Sequence, residues 1–180
     1  SICLRTTDNS AASFDKSFTI SVTNAAEATA KNGGFETYTG TSNIPTSWKA
    51  SANFGTTDGK NTIHKFGKFS VKITGAGTLK KTLTQTLTGL TGSSDDAVTF
   101  SFWVKGTSVP STGKCMGQVL LYNGTTLVKT QTLACPTGTY VFKKKTITFN
   151  APSAYNKAVI RFTYQKSGGT VWFDVASLAR

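Results

Sequence analysis

The side chains that could do chemistry in this chain are few. It has eight carboxylates (Asp8, Asp15, Glu27, Glu36, Asp58, Asp95, Asp96 and Asp174), one imidazole (His64) and three thiols (Cys3, Cys115 and Cys135). General acid–base catalysis draws on His, Asp and Glu brought together. Here the acids are sparse, and His64 has neither a Cys or His companion at metal-ligand spacing nor a G-x-S-x-G-like nucleophile nearby. The set argues against an enzyme. Three other chemistries remain: cross-linking through thiols, stacking on aromatic rings, and attraction of anions by lysine.

Cys115 and Cys135 bracket Asn123-Gly124 almost symmetrically. As a disulfide they would close the open end of a hairpin, worth about 3 kcal/mol on the loop-entropy estimate. An oxidising, extracellular or cell-surface setting permits such a bond; two buried free thiols are the other reading. Cys3 is left over, as an intermolecular thiol or a strand residue. Sugar C–H faces stack on aromatic rings, and Trp103, Tyr122 and Tyr164 are the candidate glycan platform. Trp48 and Trp172 sit in motifs that pack. The net charge is +12, with clusters at Lys80-Lys81, Lys143–Lys145 and Lys65/Lys68/Lys72. Such clusters attract anionic polymers or blunt sheet edges as a solvated face. No nucleic-acid-binding motif accompanies them, so no specific nucleic-acid partner is expected. Asn123-Gly-Thr125 is a glycosylation sequon.

The elements that must position these groups are strands. Thr, Val, Phe and Gly dominate, and helical periodicity is absent. Residues 1–31 balance Arg5, Lys16 and Lys31 against Asp8, Asp15 and Glu27, so the whole basic excess lies in 32–180. That shift predicts an N-terminal arm and linker over 1–31 and a sandwich over 32–180. In the arm, Ile2–Thr7 and Phe14–Thr23 read as a β-hairpin around the turn residues Asp8–Ser13. Beyond it, alternation predicts strands at 66–74, 79–89, 98–105, 118–122, 126–133, 140–149, 158–164 and 171–178. Val98, Phe100, Phe102 and Val104 point inward and Trp103 outward. Asn123-Gly124 is the strongest hairpin signal, and Lys143–Lys145 interrupt their strand as a bulge would. The fold class is all-β, an antiparallel two-sheet β-sandwich. No apolar run approaches the ~20 residues of a spanning helix, so no transmembrane segment is expected. With neither basic n-region nor apolar h-region at Ser1, the chain reads as a mature or excised piece.

Asn32-Gly-Gly-Phe-Glu36, Ile44-Pro-Thr-Ser-Trp48, Phe66-Gly-Lys-Phe-Ser-Val-Lys-Ile73, Val98–Lys105 and Val171-Trp-Phe-Asp-Val-Ala-Ser-Leu178 follow one another in order. Over 32–178 the chain thereby resembles the jelly-roll domains of carbohydrate-binding modules. That resemblance implies a polysaccharide partner. It also implies a structural Ca2+ where the first and last strands meet, at Glu36 and Asp174, with backbone carbonyls completing the 6–8 oxygens calcium takes. Residues 2–27 resemble the last two strands of a cadherin-like repeat, through Leu4–Asp8 and Phe14–Thr23.

A lone hairpin is marginal in water. The arm therefore folds back in cis, or adds through Phe14, Phe18, Ile20 and Val22 to a sheet edge of a second copy. The second option makes the chain a non-enzymatic extracellular subunit that assembles with itself head-to-tail into a fibre or surface layer. The alternative is a carbohydrate-binding module of a larger secreted or cell-surface protein.

Overall fold

The computed structural model describes residues 2–7, 13–18 and 30–180. Two strands, β1 (Ile2–Thr7) and β2 (Ser13–Phe18), pair antiparallel as a separate two-stranded sheet, with Ile2 opposite Phe18 and Thr6 opposite Phe14. The expected hairpin is there, and β1 finds its strand partner within its own chain. Cys3 lies opposite Ser17. Ile20 and Val22, named with Phe14 and Phe18 as the donor strand, fall outside the described residues.

The other ten strands form two antiparallel five-stranded sheets. Sheet I has the order β10 (Gly138–Asn150), β7 (Ala97–Val109), β12 (Thr170–Ala179), β5 (Ser70–Thr74) and β4 (Gly59–Asn61). Sheet II has the order β3 (Lys49–Ala50), β6 (Lys81–Gly92), β11 (Tyr155–Gln165), β8 (Lys114–Asn123) and β9 (Thr126–Ala134). From β5 to β8 each connection crosses between the sheets, as do β9–β10, β10–β11 and β11–β12. The result is the expected jelly-roll sandwich, with no helix among the described residues.

Period-two alternation explains the core. Val98, Phe100, Phe102 and Val104 of β7 are fully buried, and so are Ile160 and Phe162 of β11 and Val171 and Phe173 of β12. Phe162 is central: its ring lies 4.5 Å from Phe173, 5.2 Å from Phe102 and 5.8 Å from Trp48, centroid to centroid. Packed aromatic pairs add about 0.5–1.5 kcal/mol each beyond the area they bury. The hairpin predicted at Asn123-Gly124 joins β8 to β9, with Asn123 exposed at its tip. The interruption near Lys143 is a pair of register shifts between Gly138 and Lys143. Cys115 and Cys135 form a disulfide with Cα atoms 5.4 Å apart, closing the β8–β9 hairpin.

Three local expectations change. Leu79, expected at the start of the strand over 79–89, precedes β6 and is 49% exposed. Lys81 takes the first inward position of β6 instead. Phe66–Phe69, read as the start of a strand, is a loop, and β5 begins at Ser70. Tyr164 is not a glycan platform: it shares the inward parity of Ile160 and Phe162, is fully buried, and donates its hydroxyl to the Gly168 carbonyl at 2.8 Å.

Candidate functional site

The outer face of sheet II is a hydrogen-bonding surface. Register places Thr84, Arg161, Gln118 and Thr132 side by side across β6, β11, β8 and β9. Arg161 donates Nε–H to Gln118 Oε1 at 3.1 Å, and Gln118 donates Nε2–H to Thr132 Oγ1 at 3.0 Å. Two steps along lie Thr86, Val159 and Leu120; two further lie Lys157 and Tyr122. The Lys157 ammonium stands 4.7 Å from the Tyr122 ring centroid and also donates to the Gly124 carbonyl at 2.8 Å. In the other direction Thr82, Thr163 and Met116 form a row. The Thr163 hydroxyl is buried with no hydrogen-bond partner among the described residues. A buried, unmatched hydroxyl is costly and is often found at a functional site.

The face runs on to the Gln165–Lys114 row, about 27 Å from Tyr122 along the strands. There it meets a pocket of about 500 Å³ lined by Thr78, Thr112, Lys114, Gln165, Lys166 and Ser167. Three inter-strand loops build it. Gln165 donates Nε2–H to the Thr78 carbonyl at 3.1 Å, tying the β5–β6 loop to β11. Lys166 is buried and donates to the Pro110, Thr112 and Gly113 carbonyls at 2.6, 2.9 and 3.3 Å, shaping the β7–β8 loop. Burial lowers its pKa. Gly113 has φ +81°, and a Cβ there would meet the Gln165 carbonyl at 2.3 Å, so only glycine fits this wall.

Asp58 and Lys81 anchor the same end. Lys81 Nζ lies 2.7 Å from Asp58 Oδ2, with the two side chains 6% and 0% exposed. The Asp58 carboxylate also accepts N–H from Gly55 at 2.7 Å and Thr74 at 2.9 Å. Lys81, read from sequence as part of a surface cluster with Lys80, is therefore a core ion-pair partner.

Trp103 lies on the opposite side of the molecule, on the outer face of sheet I. It is half-buried, and the exposed Phe66 ring meets it edge-on at 5.9 Å. Trp103 and Tyr122 therefore cannot share one platform. Trp172, on the same outer face as Trp103, is nearly covered and donates Nε1–H to Asn61 Oδ1 at 2.9 Å. Trp48 packs in the core as expected. His64 is exposed, with Nδ1 2.8 Å from the Thr62 carbonyl.

Glu36 and Asp174 both hold the loop that carries Phe66 by its backbone N–H groups. Asp174 accepts N–H from Lys65 at 2.7 Å and Phe66 at 3.1 Å on Oδ2, and from Val175 at 2.8 Å on Oδ1. Glu36 accepts from Lys68 at 2.8 Å and Phe69 at 3.1 Å. A bulge in β12 between Asp174 and Ser177 sets this geometry and leaves Val175 at φ +48°, a strained value for a β-branched residue. Asp174 is fully buried, and that burial pushes its carboxyl pKa up; its backbone bonds oppose the rise and the nearby Glu36 charge adds to it. No salt bridge among the described residues neutralises either group. Between them the two carboxylates accept five backbone N–H groups, two of them on Asp174 Oδ2. No third His, Cys, Asp or Glu joins them among the described residues.

Compared by sequence, the chain matches no protein family, and no curated protein is similar to it. Compared by structure, it is similar to carbohydrate-binding-module jelly rolls. A family 61 module solved with β-1,4-galactotriose shares 17% identity at a TM-score of 0.58, over 84% of this chain and 97% of that one. The enzymatically active domain of tailspike protein 4 from bacteriophage CBA120 gives a TM-score of 0.62 at 15% identity. That match covers 83% of this chain but only 21% of the tailspike chain. A Stig cyclase from Fischerella sp. TAU gives 0.61 at 19% identity, over 86% and 97% of the two chains. At these identities the likeness shows the fold, which hosts both binding modules and enzymes. The cadherin-like reading of residues 2–27 is not shown by these structures.

Sequence reasoning missed Arg161, Gln118, Thr163 and the pocket. Each outward side chain is ordinary by itself, and only the strand order makes them neighbours. The signal that could have been used was the polar half of the alternation in β6, β8 and β11.

Proposed function

We propose that this chain is a non-catalytic carbohydrate-binding module that lays a neutral oligosaccharide along the outer face of sheet II and seats one end of it in the pocket at Gln165 and Lys166. One observation carries the reading: a cross-strand row of donors and acceptors, Thr84, Arg161 and Gln118, lies on the face that runs on to a cavity of about 500 Å³. Sugar hydroxyls are matched by such fixed polar groups, and a pocket of this volume suits a small ligand. Tyr122, with its ring under Lys157, supplies a stacking surface at the far end. The fold shared with carbohydrate-binding modules supports the same reading, and the Cys115–Cys135 disulfide is consistent with an extracellular setting. Glu36 and Asp174 would hold a calcium that fixes the loop before β5; its role is structural. Asn123, exposed on a hairpin tip, is available for glycosylation.

Head-to-tail assembly is the weaker reading, because the shared fold supports a binding module and nothing among the described residues favours a second copy. The binding reading is tested by a glycan array followed by calorimetry on the best neutral glycan. Arg161→Ala should weaken binding about tenfold or more, as expected for a hydrogen bond from a charged group, and Gln118→Ala about threefold or more. Absence of glycan binding, or unchanged affinity in both variants, would overturn it.

A further inference from the structure

The outer face of sheet I carries a combination of charge and apolar surface that a neutral-glycan site on sheet II leaves unexplained. Phe66 is 55% exposed and Ile63 43% exposed, both on the loop before β5. Large apolar side chains grouped on a surface mark interaction sites. The loop is not free to tuck them away: Asp174 holds the backbone N–H groups of Lys65 and Phe66, and Glu36 those of Lys68 and Phe69. Phe66 is thereby fixed edge-on to Trp103.

Lysines surround this ridge. Lys65 Nζ lies 4.6 Å from the Trp103 ring centroid and 5.2 Å from that of Phe66. Lys144 pairs directly with Trp103 in the strand register, and Lys105 and Lys72 flank Trp172 on either side. The acid on these outward strand positions is Asp174, which is buried and engaged with three amides. None of the four lysines forms a salt bridge among the described residues. Hydroxyls fill the rest of the face, including Ser101 and a Thr99–Thr148 pair at 2.9 Å.

We propose that this face is a second binding surface, specific for an acidic polysaccharide whose carboxylates or sulfates meet Lys65, Lys72, Lys105 and Lys144 while its sugar rings pack on the Phe66 ridge. Charge complementarity selects a polyanion. The chemistry favours a glycan over a nucleic acid. The Lys65 ammonium occupies one face of the Trp103 ring, where a base would have to stack. The two surfaces lie on opposite sides of the sandwich, so this one does not depend on the site on sheet II.

The experiment is affinity electrophoresis and calorimetry of the full chain with polygalacturonate, a neutral galactan and a single-stranded oligonucleotide, at an ionic strength of about 0.05 M, where screening is weak. Polygalacturonate should bind and be released as salt rises. The triple variant Lys65→Ala/Lys105→Ala/Lys144→Ala should lose about tenfold or more in affinity, and Phe66→Ala should lose a further part without changing the salt dependence. A charge-matched control, Lys31→Ala/Lys80→Ala/Lys129→Ala, should stay within about twofold of the parent. Circular dichroism confirms that each variant folds. Equal loss in the two triple variants, no retention on polygalacturonate, or preference for the oligonucleotide would each overturn the proposal. Loss of galactan binding in Arg161→Ala bears only on sheet II.

Discussion

Replacing Lys81 by Met tests how the pocket end of the sandwich is held. Met conserves the length and most of the volume of the lysine stem, so packing changes little. What is lost is the cation 2.7 Å from Asp58 Oδ2, in a pair whose side chains are 6% and 0% exposed. An isolated buried carboxylate left behind by such a change costs about 3–5 kcal/mol. Asp58 keeps N–H donors from Gly55 and Thr74, so the lower half of that range is expected. For a domain of this size that is a fall in Tm of about 10 °C. The assay is reversible urea or thermal unfolding by fluorescence. The double variant Asp58→Asn/Lys81→Met should cost less than the sum of the singles, because the two groups interact directly. Thr74 and Lys81 bracket the β5–β6 loop that forms one pocket wall, so glycan affinity should fall in Lys81→Met although Lys81 does not line the pocket. A loss below about 1 kcal/mol, the range of an exposed pair, or full additivity in the double variant, would refute the reasoning.

Reducing the Cys115–Cys135 disulfide, or the double change to Ser, should cost about 3 kcal/mol by releasing the β8–β9 hairpin in the unfolded chain; unchanged denaturant midpoints would refute this. Calcium should raise Tm, by the equivalent of about 2.7 kcal/mol at a hundredfold excess over Kd. Glu36→Gln should abolish the rise, and a chelator without effect on the parent would remove calcium from the reading. Burial raises the pKa of the Tyr38, Tyr140, Tyr155 and Tyr164 phenols, that of Tyr164 to about 12 from 10.0. A raised folded-state pKa gives stability that is complete below the unfolded value and is lost as pH rises through the folded one. Unfolding midpoints should therefore fall above pH 10, with a rise in phenolate absorbance. Lys166, whose pKa is lowered from 10.5, works in the opposite sense up to that pH and delays the loss; a midpoint flat through the alkaline range would contradict the phenol argument.

The sandwich was legible because period-two alternation is a local signal. Val98 to Val104 state their own inward face, and Asn123-Gly124 with its flanking cysteines states a closed hairpin. The same rule, applied to Ile160, Phe162 and Tyr164, places Tyr164 inside, whatever the stacking chemistry of its phenol. Other misreadings have non-local causes. Lys81 is inward because Asp58, 23 residues earlier, waits there, and no window around β6 contains that partner. Phe66–Phe69 looks like a strand because its residues alternate, but its amides are taken by Glu36 and by Asp174, 108 residues beyond Phe66. Backbone donors captured by carboxylates are withdrawn from a ladder, so the strand starts late.

The separation of Trp103 from Tyr122 changes what the charge means. Read along the chain, Lys65, Lys72, Lys105 and Lys144 are scattered over 80 positions. Sheet order gathers them around one aromatic ridge, while the Arg161 face gathers amides and hydroxyls. A single platform would require charge and rings to serve one ligand. If both proposed faces bind, a neutral chain held by matched hydrogen bonds and an anionic one held by lysine would not compete. Simultaneous binding is then the sharpest test of the two proposals. Saturating one face with galactan should leave the affinity for polygalacturonate unchanged, and a mutual displacement of the two polymers would mean that they share one site after all.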